Sequence, residues 1–154
     1  MTDVVRVGLL GCGNVGSALV RLLEANADLI TQRAGVQLDV TRVAVHNVAK
    51  ERDVVLAVGA LTNDVEAVVT DPDIDVVVEV IGGVEPARRL ILTALKSGKP
   101  VITANKELLA NFGEELFDAA ETAGVDLLFE ASVAGGIPLM RPLRESLAGE
   151  RITR

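Results

Sequence analysis

Hydrophobic and polar positions along the chain alternate between two periods. Val4 to Leu10 is a valine-rich run broken only by Arg6 and Gly8. Such a run, apolar on both faces, suits a strand inside a parallel sheet. It stops at a glycine-rich turn, after which Val15, Ala18, Leu19, Leu22 and Leu23 recur at the spacing of an amphipathic helix. Asn26 to Gln37 reads as the end of that helix and a polar connection, and Leu38 to Val45 as the second strand. Between Asn47 and Asp73 the pattern is weaker. It predicts a short strand within Asp53 to Leu61, a helical turn or two over Asn63 to Val69 capped by Asn63 or Asp64, and a turn at Asp71-Pro72-Asp73.

The second half is more regular. Asp75 to Ile81 is the clearest strand and ends at Gly82-Gly83. Pro86 opens a helix whose buried stripe is Ala87, Leu90, Ile91, Ala94 and Leu95, with Gly98 ending it. Pro100 to Thr103 is a short strand. Asn105 caps a helix with Leu109, Phe112, Leu116, Ala119 and Ala120 on one face, closed by Gly124. Val125 to Ala131 is a strand, Gly135-Gly136-Ile137-Pro138 a turn, and Pro138 to Leu147 a last helix. Strands that alternate with helices imply βαβ units joined by right-handed crossovers. The expected fold is α/β: a doubly wound, mostly parallel sheet with helices on both faces. Arg151-Ile152-Thr153-Arg154 alternates like a strand just starting, and the chain is expected to be cut there.

Composition narrows the partners. The 154 residues suit one domain, and 49% hydrophobic content supports a real core. With three Phe and no Trp or Tyr, the chain lacks the aromatic platforms on which single-stranded nucleic acid stacks. A net charge of −7 repels phosphate backbones and anionic lipid, so neither nucleic acid nor membrane is an expected partner. Any phosphate must be held by local geometry. The first apolar run breaks at Gly11, far short of a membrane span, and one cysteine cannot form an internal disulfide. A cytoplasmic location is expected. One His and one Cys leave no metal-ligand cluster.

Three constellations carry chemistry. Gly11-Cys12-Gly13-Asn14-Val15-Gly16 follows a strand and opens a helix, the context in which Gly-x-Gly-x-x-Gly is informative. Gly11 permits the tight turn, Gly13 lets backbone approach a pyrophosphate, and Gly16 lets helix pack on strand. The helix N-terminus adds free N–H groups and the positive end of its dipole. This is the Rossmann pattern, and the implied cofactor is NADP or NAD. The second strand ends at His46-Asn47 without the carboxylate that grips a ribose 2′-hydroxyl in NAD-specific domains. His46, Lys50 or Arg52 is placed to meet a 2′-phosphate, so the tip leans to NADP or dual use; the plainer reading makes His46 an exposed strand-end residue. Ligands of open α/β sheets bind beyond the strands' carboxyl ends. Ile81-Gly82-Gly83, Thr103-Ala104-Asn105-Lys106 and Ser132 to Gly136 all fall there, with small residues that leave room for a flat ring. Lys106 is the candidate catalytic residue, an ammonium able to bond a carbonyl oxygen and donate a proton as hydride arrives. As a mere surface lysine it would stand oddly in a first helical turn, where the dipole disfavours cations. Glu79 and Glu130 read as hydrogen-bonded structural carboxylates, and Cys12 as a small space-filler.

With these residues in place, the chain resembles the amino-terminal domain of homoserine dehydrogenase from Val5 to Thr153. The resemblance lies in Gly8 to Gly16, Val78-Glu-Val-Ile-Gly-Gly-Val-Glu-Pro-Ala87, Val101-Ile-Thr-Ala-Asn-Lys106 and Phe129-Glu-Ala-Ser-Val-Ala-Gly-Gly-Ile-Pro138. It implies an oxidoreductase interconverting L-homoserine and L-aspartate 4-semialdehyde, on the route to threonine and methionine. It implies pyrophosphate on Gly11 to Gly16, a cofactor path along Ile81 to Gly83 and Thr103 to Lys106, and Lys106 near the nicotinamide and reacting carbonyl. Many relatives carry arginine where His46 stands, a departure that weakens recognition of a 2′-phosphate by a guanidinium. Family enzymes continue into dimerisation and substrate-binding regions, which the resemblance implies supply the carboxylates that grip the substrate amine and a second lysine as the principal proton donor. Residues 1–150 are therefore expected to form the dinucleotide-binding domain and 151–154 to begin the next region, with the full-length form a homo-oligomer and the present chain without turnover. Two other readings stand beside this one: a non-enzymatic NAD(P)-sensing or nucleotide-binding module, and a reductase of another substrate such as a cyclic imine. Lys106 favours carbonyl reduction over sensing.

Overall fold

The computed structural model describes residues 2–147, 149 and 150. Its strands are β1 (Asp3–Leu10), β2 (Val36–Ala44), β3 (Leu61–Thr62), β4 (Val76–Glu79), β5 (Val101–Thr103) and β6 (Leu127–Leu128). Its helices are α1 (Asn14–Ala25), α2 (Ala27–Ala34), α3 (Val65–Thr70), α4 (Ala87–Lys96) and α5 (Lys106–Ala123). The strands form one sheet in the order β3-β2-β1-β4-β5-β6, every pair parallel. Chain order runs outward in both directions from the β1–β4 junction. That reversal is the topological switch point of a doubly wound sheet.

Pleat parity explains the two cores. Val7 and Leu9 of β1, with Val43 and Val78, pack against Val20 of α1. Leu10, Val77 and Val101 point to the opposite face, beneath α3, α4 and α5. On that second face Ala87, Leu90, Ile91, Ala94 and Leu95 are fully buried, the expected stripe of α4. At about 1.5–3 kcal/mol for each large aliphatic side chain, this stripe is the main anchor of α4 on the sheet. Gly8 faces the same layer, where a β-carbon would stand 2.8 Å from Val68 Cγ1 and 3.0 Å from Ile74 Cγ2.

Several boundaries differ from the sequence reading. Asn26 to Gln37 contains the separate helix α2, which buries none of its residues and ends at Gly35 in the left-handed region, φ 75°. Asn26 breaks α1 from α2: its side-chain amide donates to the Leu22 carbonyl at 2.9 Å. Residues 53–60 are irregular, and only Leu61–Thr62 pair. Asp64 supplies the cap of α3, its carboxylate accepting from Ala67 N at 3.0 Å. In β2 the pairing slips between Val7↔Val40 and Gly8↔Arg42, so Thr41 is an extra residue in the ladder. The strand expected over Val125 to Ala131 pairs only at Leu127–Leu128 and turns at Glu130–Ser132. Glu130 holds that turn, since its carboxylate accepts from Met140 N at 3.0 Å and Arg141 N at 2.9 Å. The last helical turns accordingly start at Met140, not Pro138, and include a wide turn over Pro142–Ser146. The strand start expected at 151–154 lies outside the described residues.

Helix α5 bends at Phe112, whose φ is −134°. The Arg88 guanidinium lies over that ring at 4.8 Å and holds Glu115 through two bonds of 2.7 and 2.6 Å. These contacts fasten α4 to α5. Hydrogen bonding from Arg88 holds the Glu115 carboxyl below the usual glutamate value.

Two outcomes test this packing. Gly8→Ala is expected to lower unfolding free energy by about 1–3 kcal/mol in urea melts, because Val68 and Ile74 are buried and cannot recede. Glu115→Gln is expected to lower Tm at neutral pH. A lowered carboxyl value contributes stability above the unfolded value and loses it as pH falls through the folded one. The Tm difference should therefore shrink through the acid range below the ordinary glutamate value and vanish once the wild-type Glu115 is protonated.

Candidate functional site

Strand register sets the frame of the site. Leu10 pairs with Ala44 on one side and with Glu79 on the other, and Glu79 pairs with Thr103. Four strands thus end level across about 14 Å of sheet. The chain leaves each of them on the same edge, above the switch point.

The glycine turn stands at the centre of that edge. Gly11 takes φ 99°, and its N–H donates to the Ala44 carbonyl at 2.9 Å. A β-carbon on Gly16 would stand 2.2 Å from the Gly11 carbonyl oxygen, an impossible contact. Gly16 therefore lets α1 begin directly against the turn. Gly13 differs: nothing lies within 4 Å of where its β-carbon would stand, so the space before it is open. Gly13 is also the N-cap of α1, with no side-chain cap and no acidic residue in the first turn. The first N–H groups of α1 thus face that space without a side-chain partner, the arrangement that binds phosphate. Asn14 and Val15 are exposed beside it. Cys12 is 8% exposed, its Sγ 3.5 Å from Ser17 Oγ below the turn.

Next along the edge stand the loops after β4 and β5. Ile81, Gly82 and Gly83 are exposed, with φ 80° at Gly82 and 73° at Gly83. Their geometry is held from below. Glu79 is fully buried; its Oε1 accepts from Ile81 N at 2.7 Å and Gly82 N at 3.1 Å. Its Oε2 accepts from the Thr103 hydroxyl at 2.6 Å. Thr103 and Asn105 are buried, so their side chains brace the loops from within. Asn105 Oδ1 caps α5 through Leu108 N at 3.1 Å, while its amide donates to the Gly83 carbonyl at 2.6 Å. Ala104 is half-buried. Lys106 begins α5 with its side chain exposed. Sequence reasoning had found Glu79 a structural carboxylate, but not its partners. Pairing of β4 with β5, which decides that Glu79 meets Thr103, has no local signature.

At the other flank, His46 is exposed just past the end of β2, and Lys50 is exposed in the loop that follows. Arg52 turns inward: its guanidinium donates to the Lys50 carbonyl at 2.6 Å and the Asn47 carbonyl at 2.7 Å. It shapes the loop on which His46 and Lys50 stand. Among the described residues no group of three or more His, Cys, Asp or Glu side chains is gathered for a metal, and no helix is long and apolar enough to cross a membrane.

A doubly wound parallel sheet with a bare helix N-terminus at its switch point defines a Rossmann-type dinucleotide-binding domain. The comparisons with known proteins narrow the class. Residues 11–130 match the model of the homoserine dehydrogenase NAD-binding domain. The homoserine dehydrogenase of Bacillus subtilis is 47% identical over 150 residues, covering 97% of this chain and 35% of the relative. A solved homoserine dehydrogenase from Thiobacillus denitrificans superposes with TM-score 0.89 at 50% identity, over 97% of this chain and 35% of the other. One from Staphylococcus aureus gives 0.82 at 41% identity, over 88% and 34%. The chain belongs to the homoserine dehydrogenase NAD-binding domain family, and its cofactor is NAD or NADP. It spans about a third of the length of these relatives.

The two glycines should separate in experiment. Gly13→Ala leaves φ −88° and open space undisturbed, so beyond the small cost of alanine at an N-cap the variant should keep its stability, and it should lose at least tenfold in dinucleotide affinity. Gly16→Ala drives helix from turn, so it should lose affinity and stability together, by about 1–3 kcal/mol. Calorimetric titration beside thermal melts distinguishes the two.

Proposed function

We propose that this chain is the cofactor-binding part of an enzyme that interconverts L-homoserine and L-aspartate 4-semialdehyde. The observation that carries the reading is a bare helix N-terminus level, on one sheet edge, with an exposed lysine two strands away. Family membership supports the substrate. When bound, the nicotinamide supplies or receives hydride. The first turn of α1 holds the pyrophosphate; Ile81 to Gly83, Ala104 and Lys106 line the path to the nicotinamide, and Thr103 and Asn105 brace that path from beneath. The Lys106 ammonium bonds the substrate carbonyl oxygen and is placed to give a proton as the alcohol forms, beside the principal proton donor that the resemblance puts outside this chain. A sensor of the NADH/NAD balance would have no use for that ammonium at a helix N-terminus, where the dipole opposes it.

His46 and Lys50, on a tip with no carboxylate from Val45 to Lys50, support acceptance of a 2′-phosphate. Arg52 acts there by holding the loop. The substrate-gripping groups belong to the two-thirds of the relatives that this chain does not span. A cytoplasmic homo-oligomer is the expected full-length form; the family resemblance and the single cysteine support it.

Titration with NADPH and NADH, followed by cofactor fluorescence, tests the reading. Saturable binding of both is expected, with NADPH the tighter. The 154 residues alone are expected to produce no homoserine-dependent NADPH. Absence of any dinucleotide binding by folded protein would overturn the assignment.

A further inference from the structure

Glu79 is a fully buried carboxylate that the proposed chemistry does not use. Placing it there costs several kcal/mol unless hydrogen bonds offset the loss of water. A valine or leucine would fill the same layer without that cost. What the carboxylate does, and an aliphatic side chain does not, is connect. One oxygen gathers the N–H groups of Ile81 and Gly82, and so fixes the turn that continues through the left-handed Gly82 and Gly83. The other takes the Thr103 hydroxyl proton, and the Thr103 oxygen in turn accepts from Asn105 N at 3.1 Å. Asn105 closes the circuit through the Gly83 carbonyl and caps α5 one residue before Lys106. Two side-chain links thus join the β4 loop to the β5 loop, beside one backbone bond from Ala104 N to the Glu79 carbonyl at 3.3 Å. None of these bonds is made to the glycine turn after β1, which meets the β4 loop by packing of Gly11 on Val80 and Ile81.

We propose that Glu79 is a positioning residue: through Thr103 and Asn105 it locks the β4 and β5 loops into one bracket that receives the nicotinamide half of the dinucleotide and sets where Lys106 stands. This rests on the dinucleotide reading above and adds a division of labour to it. The bracket governs the nicotinamide end, while the bare turn of α1, which makes no hydrogen bond to the bracket's side chains, governs the diphosphate.

The test compares ligands that differ only in the nicotinamide: NADH against ADP-ribose, and NADPH against 2′-phospho-ADP-ribose. Glu79→Gln keeps an oxygen for the loop N–H groups but turns an N–H toward Thr103, so the bond to Thr103 reverses and the buried hydroxyl proton loses its acceptor. Thr103→Val removes the hydroxyl and leaves Glu79 its two backbone donors. Both variants are expected to lose about tenfold in affinity for the reduced dinucleotides, with a smaller nicotinamide fluorescence change at saturation, and less than twofold for the ADP-ribose ligands. Thr103→Ser restores the donor and should rescue the dinucleotide affinity and the fluorescence change. Equal losses for both kinds of ligand, or no loss for either, overturns the proposal. If Glu79→Gln fails to fold, Thr103→Val and Thr103→Ser decide it. Wild-type protein that binds neither ligand refutes the dinucleotide reading itself, a result distinct from a lost preference between the two.

Discussion

The architecture depends on one steric condition: α1 must start against the carbonyl of Gly11, at a distance that admits no β-carbon on Gly16. Meeting it points the uncapped N–H groups of α1 into the space over the β1–β4 junction. The sheet order makes that junction the place where crossovers part to opposite faces, so a crevice forms there. An acidic chain gains from the arrangement. Its net charge of −7 offers no long-range attraction to a dinucleotide, and oriented backbone amides supply it locally instead.

Much of this was legible in the sequence because the signals are local. The stripe of α4 follows from helical spacing, a cap at Asn63 or Asp64 and the one at Asn105 from residue type, and the fold class from alternation of periods. The glycine motif could be read with its context because a strand and a helix flank it directly. What escaped detection depends on long-range partners or weak patterns. Helix α2 buries nothing, so no apolar stripe announces it. Strand β6 is short because Glu130 is drawn to amides ten and eleven residues onward, a match that no local window shows. Gly8 interrupts the apolar run of β1 because it makes room for Val68 and Ile74 of the crossover that follows β3.

The irregularity in β2 did leave a trace. Leu38 and Val40 share one phase of the pleat, while Val43 and Val45 share the other, a break that marks the extra residue Thr41. Counting phase along the strand would have found it. The bracing role of Glu79 had only half a signal: a carboxylate in an apolar run shows that a partner exists, and pairing of β4 with β5 decides which.

Along the rim of the sheet lie two neighbouring clusters of amide hydrogens, after β1 and after β4. Both have the makings of an anion seat, but the chain has already placed its own carboxylate in the second. A diphosphate arriving at the crevice therefore meets one set of free amide donors, not two. That asymmetry settles where along the rim the charged middle of a long ligand comes to rest, and keeps the β4 loop for the uncharged group attached to it.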